Sequence, residues 1–401
     1  MTDTSPTRFQ SFTSAARPEN GPPRLEGLRA RLAAQGLAGF LVPRADAHQG
    51  EYVAPRDERL SWLTGFTGSA GFAAILPDIA GVFIDGRYRV QVKSEVDLSA
   101  YTPVPWPETK LEDWLIAHLP QGGAIGFDPW LHSSAEIERL EKALTPAQIS
   151  LVPTDNQIDA IWPDQPPRPA GQAEAYPVEY AGTRSVDKRE NIGALLTEKG
   201  QSAAVLTLPD SICWLLNIRG HDLAHLPVVQ AFAIIAADGH VTLFSDPAKF
   251  SPLGPDPDIT IKDWDAFEES LQALTGPVRI DPATAPHQVR LTLEAAGIEI
   301  VKSVDPCILP KARKTSAEVK ATAQAHLRDG AAMAKFLHWF DEQAPTGGLT
   351  EIDCVRALEG FRAETGALLD ISFDTIAGAG ANGAIVHYRV TEGTNAPLKE
   401  G

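Results

Sequence analysis

Cysteine is scarce in this chain: Cys213, Cys307 and Cys354 are the whole complement in 401 residues, and none belongs to a CxxC pair. That argues against a disulfide framework or a cysteine-based zinc site and fits a reducing compartment. Long apolar runs are missing as well. No stretch reaches the roughly 18 residues of a membrane span, and the N-terminus lacks the continuous apolar core of a signal peptide. The sequence therefore reads as cytoplasmic, with no membrane partner. Positive charge is also short, with 35 Lys and Arg against 52 Asp and Glu and a formal charge of −17. Such a surface repels nucleic acid and anionic lipid, so neither is expected as a partner.

What is present is enough for folded cores. Apolar residues make up 43% of a chain too long for one ordinary domain, so two or three domains are expected. Residues 1–23 are rich in Ser, Thr and Pro and read as a flexible tail. A weak internal repeat follows. RLEGLRARLAAQG (24–36) places Leu25, Leu28 and Leu32 on one helical face and stops at Gly36. Strands at 40–42, 72–76 and 82–86 follow, with WLTGFTG (62–68) between the first two. The same order recurs in KRENIGALLTEKG (188–200), strands at 203–208, 232–236 and 240–244, and WLLNIRG (214–220). Each Trp precedes a Gly by six positions. Two α/β units are expected, at 24–160 and 178–310, separated by a Pro- and Gly-rich linker at 161–177 that cannot continue a helix or central strand. A third region, 311–401, begins with a long helix near 314–342. Ser316 is the expected N-cap, with an apolar stripe through Val319, Ala323, His326, Gly330, Met333, Leu337 and Phe340. A second helix starts at Thr350 with Glu351 and Asp353 in its first turn. FDTIAGAGANGAIVHYR (373–389) reads as two short strands around a small-residue loop, with His387 at a strand end.

Most histidines fit plain packing; His118 and His338 lie in helical patterns beside Trp or Leu. His221 and His225 have the i, i+4 spacing that can share a metal on a helix. Gly220 before them and Pro227 after them make this stretch a loop instead. Asp46, His48 and Glu51 crowd together in DAHQGEY (46–52), as a hydrolytic or metal site or as a solvated loop. DGRY (85–88) presents Arg87 in a tight turn, either in a salt bridge or as a planar fork for a carboxylate or peptide carbonyl. The loop 378–383 lacks the Lys-Ser/Thr pair of a phosphate cradle.

The motif order strongly resembles a three-domain Xaa-Pro aminopeptidase (aminopeptidase P) of the pita-bread, creatinase/prolidase-like metallopeptidase family. PRADAHQGEYVAPRDERLSWLTGFTGSAG (43–71) and DGRY match its first domain. WLLNIRGHDLAHLPV (214–228) matches the second, and FDTIAGAGANGAIVHYRVTE (373–392) the third. The resemblance implies an α/β architecture of two tandem creatinase-N-terminal-like domains followed by an incomplete α+β pita-bread catalytic domain. It implies a homodimer that removes the N-terminal residue from peptides with proline second. It carries over His387 as a catalytic and substrate-binding residue and Arg87 as a substrate-binding residue. The family's active site holds two divalent metals, usually Mn2+, on two Asp, one His and two Glu. Those ligands lie beyond the segment matched here, so no metal residue is assigned and none is expected to be bound by these residues. Prolidase and creatinase share the fold but normally lack the second leading domain. The alternatives are a related prolidase-type dipeptidase or a non-catalytic, truncated binding and dimerisation module.

Overall fold

The protein is described from a computed structural model over residues 10–400. Fourteen strands are present among them: β1 (Gly39–Pro43), β2 (Phe72–Ile75), β3 (Ala80–Ile84), β4 (Thr102–Pro105), β5 (Gly123–Phe127), β6 (Ile149–Pro153), β7 (Glu174–Ala175), β8 (Ala203–Leu206), β9 (Ile218–Arg219), β10 (Phe232–Ala236), β11 (Val241–Phe244), β12 (Ile259–Lys262), β13 (Val278–Ile280) and β14 (Ile300–Lys302). Twelve of them build two six-stranded mixed sheets, ordered β4-β3-β2-β1-β5-β6 and β12-β11-β10-β8-β13-β14, and β7 pairs antiparallel with β9. In the first, β2 runs antiparallel to both β1 and β3 while the outer pairs are parallel. β10 has the same place in the second, antiparallel to β8 and β11. Helix Gly21–Ala34 leads into β1 and helix Ser185–Glu198 leads into β8. Both run into a left-handed glycine, Gly36 (φ 67°) and Gly200 (φ 66°), a conformation that suits glycine because it has no Cβ. The internal repeat is thus a repeat of fold.

Strand alternation decides what each sheet face buries. Phe40 and Val42 of β1 join Leu25, Leu28, Leu60 and Leu63 on one face. Leu41, between them, joins Phe83, Trp114 and Leu140 on the other. β8 divides in the same way: Ala204 and Leu206 enter one core, Ala203 and Val205 the other. Each such Leu contributes roughly 1.5–3 kcal/mol by leaving water.

The two units meet through equivalent elements. Ser134 N–H donates to Ala285 O, and His287 N–H to His132 O; Ala135 N–H donates to Pro282 O, and Gln288 N–H to Pro129 O. A β-bridge joins Ser133 to Pro286. Adding 153 to each number of the first unit gives its counterpart, so Asp128 maps to Asp281 and Ser133 to Pro286. Each hydrogen bond thus has a reciprocal mate, the pattern of an isologous two-fold contact inside one chain. The Asp46 cluster belongs to this seam. Asp46 is buried and accepts from His48 N–H (2.9 Å), Gly50 N–H (3.1 Å) and Gln230 Nε2 of the second unit (2.8 Å). His48 Nδ1 lies 2.9 Å from Thr207 O. These groups hold the units together and are not gathered as a hydrolytic site.

The third region departs from the sequence expectation in four places. Thr315, not Ser316, caps helix Ser316–Gln343, in a capping box with Glu318. Ala332 is the buried residue of this helix, and Val319 and Leu337 of the expected stripe are more than half exposed. Neither 373–376 nor 384–388 forms a strand; irregular backbone, a short 3-10 helix, Gly380–Ala384, and one turn occupy 373–390. A strand needs a ladder partner, and here the backbone finds other acceptors. Thr375 N–H donates to Gln10 Oε1, Ala379 N–H to Glu351 Oε1, and Tyr388 N–H to Ile385 O. Finally, the flexible tail expected over 1–23 is packed from residue 10 onward, while residues 1–9 lie outside those described. Phe12 is buried with Ile352, Val355, Tyr388 and Val390. Phe12 O accepts from Glu392 N–H, and the Arg389 guanidinium donates to Ser11 O (2.7 Å) and Thr13 O (3.2 Å). One buried aromatic ring outweighs the polar composition that suggested a tail.

Candidate active site

β3 ends at Ile84, and Asp85 then caps a single 3-10 turn, Gly86–Tyr88, by accepting Arg87 N–H at 2.9 Å. The same carboxylate takes the Arg87 guanidinium in a two-pronged fork, Nη2–Oδ2 at 2.7 Å and Nε–Oδ1 at 3.0 Å. These hydrogen bonds, above all, hold the Asp85 pKa below the usual carboxylate range, and nearby His387 adds to the effect. The Arg87 side chain is 37% exposed. Of its two expected roles, the structure shows the salt bridge, internal to the motif. The guanidinium carbon also lies 5.1 Å from the centre of the Tyr88 ring.

Tyr88 points the other way, into the first core, and is 1% exposed. Its ring stands edge-on to Phe66 at 5.5 Å. Its hydroxyl meets Ser69 N–H (3.1 Å), Ser69 Oγ (2.6 Å) and, 299 positions along the chain, His387 Nδ1 (2.9 Å). The imidazole and phenol rings are T-shaped at 5.6 Å. The two residues carried over from the resemblance, Arg87 and His387, are therefore brought to one place, joined through Tyr88. Tyr88 and Ser69 were missed as site residues, although the quoted words DGRY and GFTGSAG contain both.

Three further groups support His387. Glu351, buried at the start of helix Glu351–Ala363, is the hub for the loop before it. Burial works against its charge. The N–H groups of Ala379 (2.6 Å) and Ala396 (3.0 Å), with Asn382 and Tyr388, outweigh that and lower its pKa. Tyr388 donates to Glu351 Oε2 at 2.8 Å; burial, first of all, pushes its hydroxyl up to about 12. Arg389 pairs with Asp374 at 2.5 Å. The loop of 378–383 is thus anchored by Glu351 and is no phosphate cradle.

His225 also approaches this region. It adopts φ 64° in a loop, not a helix, and its Nδ1 lies 3.0 Å from Ile371 O, with Asp370 at 3.5 Å and Asp374 at 3.8 Å. His221 is exposed and faces Glu174, so the two imidazoles have separate partners. Asp222 between them has a structural task, with Lys249 Nζ at 2.7 Å and both side chains buried. A cavity of about 330 Å³ lies at the seam between the units, lined by Asp57, Asp128, Trp130, Arg168, Phe232 and Trp264, and by neither His387 nor Arg87. Among the described residues no three His, Cys, Asp or Glu side chains converge as a metal ion would require. These residues do not fit a metal pair, and no step is assigned through one. No helix among them is long and apolar enough to cross a membrane.

Comparison with known proteins agrees with this layout. Residues 24–161 match the creatinase/prolidase N-terminal domain, 164–318 match a second model of the same description, and 320–401 match metallopeptidase family M24. The fold and site thus define a tandem of creatinase/prolidase N-terminal domains leading into an M24 metallopeptidase domain. Relatives include a probable Xaa-Pro aminopeptidase P of Laccaria bicolor, 33% identical over 92% of this chain and 59% of its own length. Human Xaa-Pro aminopeptidase 2 is 30% identical over 93% of this chain and 58% of its own length. The crystal structure of X-prolyl aminopeptidase from Caenorhabditis elegans, described as a cytosolic enzyme with a di-nuclear active site, superposes with a TM-score of 0.86 at 27% identity, covering 94% of this chain and 65% of that one. Over nearly its whole length the chain is thus similar to proteins named Xaa-Pro aminopeptidases. It spans about three fifths of the length of the curated relatives it matches.

Proposed function

We propose that this chain contributes the two leading domains and the entry into the catalytic domain of a metal-dependent Xaa-Pro aminopeptidase. Such an enzyme hydrolyses the first peptide bond when proline is second. The observation that carries this reading is the meeting of His387 with the DGRY turn of the first unit, at 2.9 Å through Tyr88. An Xaa-Pro bond has no N–H, and its ring fixes the backbone, so the carbonyl is the polar handle left to grip. His387 is the donor for it, and Arg87 reaches substrate from the first domain. We further propose that the enzyme is cytoplasmic and a homodimer, and that its metals are two Mn2+ ions held in the part of the relatives' length not spanned here. A second reading is a binding and dimerisation module without chemistry of its own. The test is release of the first residue from an Xaa-Pro tripeptide by the product of the whole reading frame. Expected are turnover with proline second, little with alanine there, and neither stoichiometric manganese after dialysis nor turnover for residues 1–401 alone. Equal cleavage of the alanine peptide would overturn the proline-specific reading, and no cleavage of either would favour the module.

A further inference from the structure

The hydrogen bonds at Tyr88 carry more information than their lengths. A phenol has one proton to give and two lone pairs to receive with. Ser69 N–H, fixed by the backbone, takes one lone pair at 3.1 Å. The Tyr88 proton then goes to Ser69 Oγ at 2.6 Å or to His387 Nδ1 at 2.9 Å. If it goes to Ser69, the imidazole must donate from Nδ1, and the Ser69 hydroxyl proton has no acceptor among the described residues. If it goes to His387, the Ser69 hydroxyl donates to the second lone pair, and Ser69 N–H, Ser69 O–H and Tyr88 O–H all have acceptors. Of the two arrangements only the second gives all three donors a protein acceptor in this partly buried pocket; the first would leave the Ser69 hydroxyl to solvent. The geometry points to Tyr88 as the positioning residue that holds His387 as its Nε2–H tautomer, and so as a hydrogen-bond donor toward the carbonyl of a bound peptide.

The surroundings suit this role. The Tyr88 ring cannot swing away, being 1% exposed and packed edge-on to Phe66. Gly68 lets the Ser69 turn lie on that ring: a Cβ there would come within 2.8 Å of Tyr88 Cδ1 and 2.3 Å of Phe66 Cζ. Which ring nitrogen holds the proton is set by the bond that the other one makes. Here Nδ1 is engaged, while Nε2 has no hydrogen-bond partner among the described residues.

The tautomer stands on the geometry alone, whereas the identity of the acceptor rests on the aminopeptidase reading. The first experiment is imidazole 15N NMR on the 401-residue chain near pH 8.5, where an ordinary histidine is neutral, with His387 assigned by loss of its signals in His387→Gln. Expected in wild type is an Nε2–H ring with bare Nδ1. Tyr88→Phe should raise the Nδ1–H population severalfold, and Ser69→Ala should leave the tautomer as it was. An Nδ1–H ring in wild type, an unchanged ring in Tyr88→Phe, or a switched one in Ser69→Ala overturns the assignment. Should Tyr88→Phe fail to fold, the wild-type and Ser69→Ala spectra still decide. The second experiment is turnover by the whole gene product, where Tyr88→Phe should lower kcat roughly threefold to tenfold with KM little changed. Unaltered kcat would remove the catalytic role of Tyr88. Absent turnover in wild type would defeat the aminopeptidase reading and leave the NMR result standing.

Discussion

Glu359 carries an ionisable group where water does not reach. It is 3% exposed, and its carboxyl accepts no side-chain hydrogen bond among the described residues. Burial, reinforced by Asp374 and only partly offset by a backbone hydrogen bond from Gln10 and by Arg362 and His225, pushes its pKa up to about 7. An unfolded Glu releases its proton near pH 4.3. Between these values the folded state holds more protons than the unfolded state, so stability falls as pH rises through that window and stays lower above it. Glu359→Gln should flatten this slope, and urea midpoints at pH 5 and pH 8 measure it; a slope equal to wild type would show that the carboxyl does not titrate there. Arg87 and His387 divide differently. The fork to Asp85 is partly in solvent, and such a pair is worth at most about 1 kcal/mol, so the guanidinium can be recruited by substrate at little cost. Arg87→Ala should mainly raise KM and His387→Ala mainly lower kcat, because a rim contact acts alike in ground and transition states and an orienting donor does not. Steady-state kinetics of the whole enzyme on an Xaa-Pro peptide checks both, and wild-type constants for His387→Ala would reduce it to a packed residue.

At the scale of elements, the segment around Phe12 holds the third region in place. Its ring closes the small core made by helix Glu351–Ala363 and residues 388–390. Phe12→Ala should cost roughly 3–5 kcal/mol of local stability and expose 350–395 to limited proteolysis while the two sheets stay resistant. An unchanged digestion pattern would contradict this. The outcome also shows what the sequence could and could not reveal. Helices with a stripe and a stop, such as Leu25-Leu28-Leu32 before Gly36, and strands with apolar runs were legible because each is decided locally. His387 and Arg87 were legible only through the resemblance of the words around them. The absence of strands at 373–388, the burial of Phe12 and the link from Tyr88 to His387 were not legible. The last two depend on partners some 300 positions away, and the backbone of 373–388 on acceptors that include Gln10 and Glu351, none of which a local period encodes. The cap at Thr315 was missed for a smaller reason: Thr315 and Ser316 are both competent caps, and only Thr315 stands three before Glu318.

At the scale of the whole molecule, the two α/β units share a seam of reciprocal backbone hydrogen bonds, the Asp46–Gln230 contact and ion pairs from Glu138 to Arg290 and Lys302. Units joined so closely should open together. Native-state hydrogen exchange should give the amides of β1 and β10 the same limiting free energy, within about 1 kcal/mol, and two distinct values would show independent units. The burial of Phe12 has a consequence for synthesis on the ribosome. Its partners Ile352 and Val355 are translated some 340 codons later, which at about 5–20 residues per second is roughly 20–70 s. Throughout that time the Phe12 ring waits without its pocket, while both sheets are free to complete themselves. A residue made before either sheet is therefore among the last to reach its place, and it is this ring that closes the third region against the finished first two.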